Sequence, residues 1–126
     1  MSNRFPLAFA ALILAAAPSF AQRPCESLKS LTLPGLTINS ATSVPAGSFA
    51  LPTGGNRNTS VEVPDFCRVA GVIAPEIRFE LWMPAQWNRK FLEVGNGGLA
   101  GSISYAPMVA PLKPRIATEL PALLLI

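Results

Sequence analysis

The stretch from Glu76 to Met83 constrains the fold most, because Glu-Ile-Arg-Phe-Glu-Leu-Trp-Met alternates without a break. A period of two places Ile77, Phe79, Leu81 and Met83 on one face of a strand and Glu76, Arg78, Glu80 and Trp82 on the other. A helix would scatter both sets, so the segment predicts a half-buried strand with its Ile/Phe/Leu/Met face inward. Its surroundings predict a β-rich body. Residues 67–73 are rich in β-formers with little helical periodicity, and Lys90–Val94 follows a turn at Pro84–Asn88. The short connection predicts that the strands at 76–83 and 90–94 are neighbours, most simply an antiparallel pair. Upstream, residues 36–41 read as a strand, 44–47 as a turn, 52–60 as a polar loop and 22–35 as an irregular lead-in. That makes about four strands without covering helices.

The N-terminus reads as an export signal. Met1–Arg4 is positively charged, and Phe5–Ala17 is an uncharged run of about 13 residues, shorter than the ~20 needed to span a bilayer. Pro18 breaks the run, and Ser19-Phe20-Ala21 places small residues where a signal peptidase accepts them. Residues 1–21 are therefore expected to be removed after Ala21. The product would be secreted or periplasmic, about 105 residues long, with no stable membrane anchor. A lipid-modified Cys25 is excluded by the preceding Gln22-Arg23-Pro24, which lacks the small apolar residues such a site needs. A body of this size is one small domain or a piece of a larger one.

Of the ten basic residues one, Arg4, lies in the leader, against seven acidic residues in the whole chain. A small, unclustered excess of this kind argues against a nucleic-acid partner. The two cysteines, Cys25 and Cys67, would meet an oxidising compartment, where such a pair tends to close. The bridge would span about 40 residues and contribute roughly 3–4 kcal/mol. Two free buried thiols, or a cysteine paired elsewhere, are the alternatives. The chain has no histidine, the usual general base near neutral pH, and no G-x-S-x-G nucleophile elbow. Nor does it hold a cysteine or carboxylate cluster with metal-ligand spacing, so no metal or other cofactor is expected.

One segment carries a possible chemistry. Gly95-Asn96-Gly97-Gly98-Leu99-Ala100-Gly101 places four glycines directly after a strand. Glycine admits positive φ and leaves backbone N–H groups bare to a ligand. A phosphate-binding P-loop would need a following Gly-Lys-Ser/Thr, which is absent, and the match to a dinucleotide fingerprint is weak. The remaining options are an ordinary Asn-Gly turn and an oxyanion-hole loop like the one after the third strand of α/β-hydrolases. A helix could begin near Ile103, limited by Pro107 and Pro111.

Taken together, four blocks resemble the N-terminal part of the tannase/feruloyl esterase family. They are Asp65-Phe66-Cys67-Arg68-Val69-Ala70-Gly71, Ile77-Arg78-Phe79-Glu80-Leu81-Trp82-Met83-Pro84, Trp87-Asn88-Arg89-Lys90-Phe91 and Gly95-Asn96-Gly97-Gly98. The resemblance runs from about Cys25 to Tyr105. It implies the N-terminal, mostly β portion of an α/β-hydrolase fold, here incomplete and preceded by a signal peptide. It also implies an exported ester hydrolase that acts on small aromatic-acid esters through a serine, an aspartate and a histidine, with an inserted lid. Those catalytic residues would lie beyond residue 126, leaving this chain inactive alone. The resemblance assigns Gly97 and Gly98 to the oxyanion loop and supports the pairing of Cys25 with Cys67. Arg89 departs from it, since the family more often has glycine there.

The tail departs further. Residues 109–126 end in an apolar string where the family continues with a strand toward its catalytic core, which reads as a frameshifted or truncated frame. The expected organisation is thus a leader at 1–21, a hydrolase-like part at 22–108 and an atypical tail at 109–126. The alternative is a small exported binding or structural domain that uses Trp82 and Trp87 as a surface. The oligomeric state is not legible.

Overall fold

The structure, a computed structural model, describes residues 23–52, 59–95 and 101–122; the expected leader at 1–21, its expected cleavage site, and Gly97 and Gly98 lie outside them. After a 3-10 helix at Cys25–Ser30 come β1 (Leu36–Val44), β2 (Gly47–Ala50), β3 (Ser60–Val63), β4 (Phe66–Ile73), β5 (Ile77–Pro84) and β6 (Phe91–Glu93). The helix α1 (Ala106–Leu112) and the strand β7 (Ala117–Ala122) complete the described elements. Five strands form one sheet in the order β1-β4-β5-β7-β6, and β2 pairs with β3 in a separate hairpin. The expectation of a mostly β chain is met. The lead-in, however, contains the 3-10 helix, and the region 47–63 contains β2 and β3, four residues each and too short to stand out by pattern.

β5 is a strand, as its alternation predicts, but the more deeply buried face is the one expected to meet solvent. On that face Trp82 is 0% exposed and Glu80 3%, although Arg78 is exposed; on the other face Phe79, at 7%, is buried, while Ile77, Leu81 and Met83 are only partly buried. The Trp82 face is covered by the β2–β3 hairpin and α1. There Leu51, Val63, Phe66, Trp82, Met108 and Leu112 form the core. Aromatic rings dominate it: Phe49 lies edge-on to Phe66 at 5.5 Å and to Trp82 at 5.6 Å, a favoured quadrupole geometry. Trp82 is therefore no part of a binding surface, while Trp87 is 51% exposed.

The second correction concerns neighbours. β6 does not pair with β5. β7 lies between them, antiparallel to β5 from Arg78↔Ala122 to Trp82↔Thr118 and parallel to β6 from Phe91↔Ala117 to Glu93↔Glu119. The tail thus supplies a strand inside the sheet. The turn after β5 is held away from β5 by that same tail. The Asn88 N–H donates to the Arg115 carbonyl at 3.0 Å, the Asn88 side-chain amide to the Pro114 carbonyl at 2.7 Å, and the Ala117 N–H to the Lys90 carbonyl at 3.0 Å.

Within this turn Arg89 adopts φ 68°, a left-handed conformation that costs a non-glycine residue about 1–2 kcal/mol. Glycine removes that strain but adds unfolded-state entropy worth about 0.4–1 kcal/mol. Arg89→Gly is expected to stabilise the chain by about 0.5–1 kcal/mol, raising Tm by a few degrees. Calorimetry showing an unchanged or lower Tm would refute this. Gly71 has the opposite constraint: a Cβ there would lie 2.6 Å from the Thr37 carbonyl oxygen and 2.7 Å from the Phe79 ring.

The other face of the sheet carries the 3-10 helix. Cys25 and Cys67 are joined by a disulfide with their Cα atoms 5.5 Å apart. The Ser43 N–H also donates to the Glu26 carboxylate at 2.9 Å. Together these two contacts fix the N-terminal segment to β4 and β1.

Candidate functional site

The glycine-rich segment begins at the carboxyl end of β6. Because β6 and β7 are parallel, their carboxyl ends lie on the same side of the sheet, and α1 makes the crossover between them. In sheets built this way, ligands gather at the carboxyl ends of the strands. The Val94 N–H donates to the Glu119 carbonyl at 2.8 Å, which ties the start of the segment to β7. Gly97 and Gly98 lie outside the described residues. The chain is described again from Gly101, which takes φ 57°, and it passes through Ser102 and Ile103 to Tyr105. Tyr105 caps α1 through its backbone, its carbonyl accepting the Met108 N–H at 3.0 Å.

The Tyr105 side chain turns toward the sheet. Its hydroxyl donates to the Glu80 carboxylate at 3.0 Å, and its ring stacks on Trp82 with centroids 6.1 Å apart. The same carboxylate accepts the Trp82 indole N–H at 3.0 Å and the Arg68 Nε–H at 2.9 Å, with Arg68 Nη2 as its fourth donor. The paired Arg–carboxylate geometry is the strong, directional kind. It explains how a charged side chain comes to be buried in the middle of β5. Burial pushes the Tyr105 hydroxyl above the usual phenol range, and the Glu80 charge adds to the shift. The Arg68 guanidinium also lies 5.9 Å from the Tyr105 ring centre.

On β6 and its neighbour β7, Glu93 and Glu119 are side by side in register. Burial pushes the Glu119 carboxyl above its usual range, and the adjacent Glu93 charge reinforces this. No group of three or more His, Cys, Asp or Glu side chains able to hold a metal occurs among the described residues. No described helix is long and apolar enough to cross a membrane. A groove of about 430 Å³ opens beside the described end of the glycine-rich segment, lined by Asn39, Arg78, Gly101, Ser102 and Tyr105 among others. A larger, mainly apolar cleft of about 780 Å³ lies along the disulfide-bearing face, where Leu81, Met83, Trp87 and Phe91 line it.

A family model described as tannase and feruloyl esterase matches residues 59–120, from the lead-in to β3 through most of β7. Residues 59–120 belong to the tannase and feruloyl esterase family. The match runs past Tyr105 and takes in residues 109–120 of the tail. Over 116 residues the chain is 43% identical to an uncharacterized esterase of Xanthomonas campestris pv. campestris, covering 88% of this chain and 19% of that protein. It is 34% identical over 110 residues to a probable feruloyl esterase B-1 of Aspergillus fumigatus, covering 79% of this chain and 21% of the relative. A solved esterase from Aspergillus oryzae superposes with a TM-score of 0.64 at 31% identity, covering 75% of this chain and 21% of that one. The chain therefore spans about a fifth of the length of these relatives.

The linked residues Arg68, Glu80 and Tyr105 were not legible as a group. Glu80 stands in the strand's alternation as a solvent-facing charge, and its partners lie 12 and 25 residues away. The one available signal was that Arg68 and Glu80 fall within the family-like blocks.

Proposed function

We propose that this chain is the N-terminal, oxyanion-loop-bearing part of an exported ester hydrolase acting on small aromatic-acid esters. The observation that carries the reading is the β6–glycine segment–α1–β7 unit. A glycine-rich segment leaves a strand, a helix follows, and the return strand lies parallel beside the first. This is the strand–loop–helix arrangement that supplies one oxyanion donor in α/β-hydrolases, the other coming from the residue after the nucleophile. Gly97 and Gly98 would offer backbone N–H groups to the oxyanion of the tetrahedral intermediate. A serine nucleophile with its histidine and aspartate would come from polypeptide outside this chain, which has no histidine. The leader pattern at 1–21 and the disulfide favour export, and the names of the fungal relatives favour feruloyl-type esters.

The test is a graft. Residues 23–122 of this chain replace the matching segment of the Xanthomonas campestris esterase, and hydrolysis of an aryl ester is followed. The graft is expected to be active. Gly97→Pro or Gly98→Pro, by deleting a backbone donor, is expected to lower kcat about 10²–10³-fold with little change in KM. An active graft whose kcat withstands both substitutions would overturn the oxyanion assignment.

A further inference from the structure

Arg78 is a cation that the fold leaves without a counter-ion. It is exposed, and among the described residues the salt bridge joins Arg68 to Glu80 instead. Glu80, two residues on along the same face of β5, already accepts from Arg68, Trp82 and Tyr105. Arg78 and Glu80 are the charged residues that line the groove of about 430 Å³. With Glu80 neutralised by Arg68, the groove keeps one uncommitted positive charge. Asn39 lines it from β1. This is the extra residue of a β-bulge: Ile38 pairs with Gly71 and Ser40 with Ala70, which leaves Asn39 unpaired in the ladder. Bulges re-aim side chains and recur beside active sites. Between the two polar walls β4 contributes Ala70 and Gly71, so no long side chain rises there, and Pro52, Phe79 and Ile103 add apolar surface. Arg78 stands opposite Ala122, the last residue of β7. The groove therefore opens at the carboxyl ends of β6 and β7, where ligands gather in sheets of this kind.

We propose that this groove is a subsite for a small aromatic carboxylate, whose anionic end is received by the Arg78 guanidinium. The planar fork of arginine matches a carboxylate with two parallel hydrogen bonds. The apolar walls take the ring, and the Asn39 amide bounds the far side. β1 and β5 stand about 10 Å apart, two strand spacings, so a small aromatic acid laid across β4 reaches both. The groove's size also falls among those of small-molecule sites, which combine apolar walls with a few placed polar groups. One consequence rests on the hydrolase reading. A carboxylate held by Arg78 lies apart from the scissile carbonyl, which the oxyanion loop would hold. Arg78 then sets a preference for esters that carry a free carboxylate over their neutral counterparts.

Chemical-shift titration of the full 126-residue chain, with no ester present, provides the test. Benzoate is expected to shift the backbone amides of Asn39, Gly71, Phe79 and Ile103 saturably. Benzamide, its neutral isostere, is expected to bind about tenfold more weakly, the loss of one charge-assisted contact. Arg78→Gln is expected to bring benzoate down to the level of benzamide, and the exposure of Arg78 leaves the fold intact on substitution. Lys29→Gln removes an exposed cation from the 3-10 helix on the other face and is expected to change neither affinity. Equal binding of benzoate and benzamide by the parent chain would overturn the subsite. So would benzoate binding that withstands Arg78→Gln or falls equally in Lys29→Gln. In the graft, para-carboxyphenyl acetate is expected to exceed para-carbamoylphenyl acetate about tenfold in kcat/KM, through KM, and Arg78→Gln is expected to erase the difference. A preference that survives Arg78→Gln would overturn the role in specificity. Failure of benzoate to bind removes the subsite and leaves the hydrolase reading standing. An active graft whose kcat withstands Gly97→Pro and Gly98→Pro removes the oxyanion assignment and leaves the subsite standing.

Discussion

Glu80→Ala is expected to cost the fold about 3 kcal/mol, because it strips the acceptor from four donor groups on three residues and leaves the Arg68 guanidinium without its partner. Breaking a fully buried ion pair from one side typically costs about 3–5 kcal/mol. Arg68 keeps 29% of its side-chain exposure and can regain some water, which places the expected loss at the lower end. The indole N–H of Trp82 has no such recourse, since Trp82 is 0% exposed. Urea unfolding of Glu80→Ala beside Glu80→Gln distinguishes loss of charge from loss of an acceptor. The alanine variant should show the larger fall in midpoint at an unchanged slope. A loss below about 1 kcal/mol in the alanine variant would mean that the network is dispensable to the fold.

The second large effect lies on the other face of the sheet. Replacing both Cys25 and Cys67 with serine is expected to destabilise the chain by about 4 kcal/mol, the chain-entropy value for a link across 42 residues. For a chain of this size that corresponds to a fall in Tm of more than about 10 °C. The 3-10 helix would then depend on the Glu26–Ser43 contact, which is exposed. The whole lead-in should become susceptible to protease while β4 and β5 remain protected. Thermal unfolding with and without reductant gives the same comparison on the parent chain. An equal Tm in both conditions would show that the bridge contributes nothing to the native balance.

The strand at the centre of the sheet was legible because alternation is a local property. Which of its faces would be buried more deeply was not. That depended on where Arg68 stands on the neighbouring strand and on the β2–β3 hairpin that covers Trp82, and register is not written in either strand alone. The same limit explains β6. A short connection between successive strands usually makes them neighbours. Here β7, assigned to an atypical tail, takes that place. The glycine segment was legible as a place where backbone would be bared. The Tyr105–Glu80 hydrogen bond was not, since the two lie 25 residues apart and neither belongs to a motif of its own. Arg89 was visible as a residue standing where glycine is usual, and its positive φ supplies the physical reason.

The insertion of β7 also sets an order of events during synthesis. β5 is complete at Pro84, but its second partner begins only at Ala117. While the intervening residues emerge, the edge of β5 exposes unpaired backbone groups of the kind that recruit strands from other chains. β6 cannot cap it, because β6 itself is held by the strand that has yet to arrive. The interval favours capture by a chaperone, or by a second copy of the same nascent chain, over unaided closure. Yield on overexpression should therefore be governed less by the stability of the finished sheet than by how long that edge stays open.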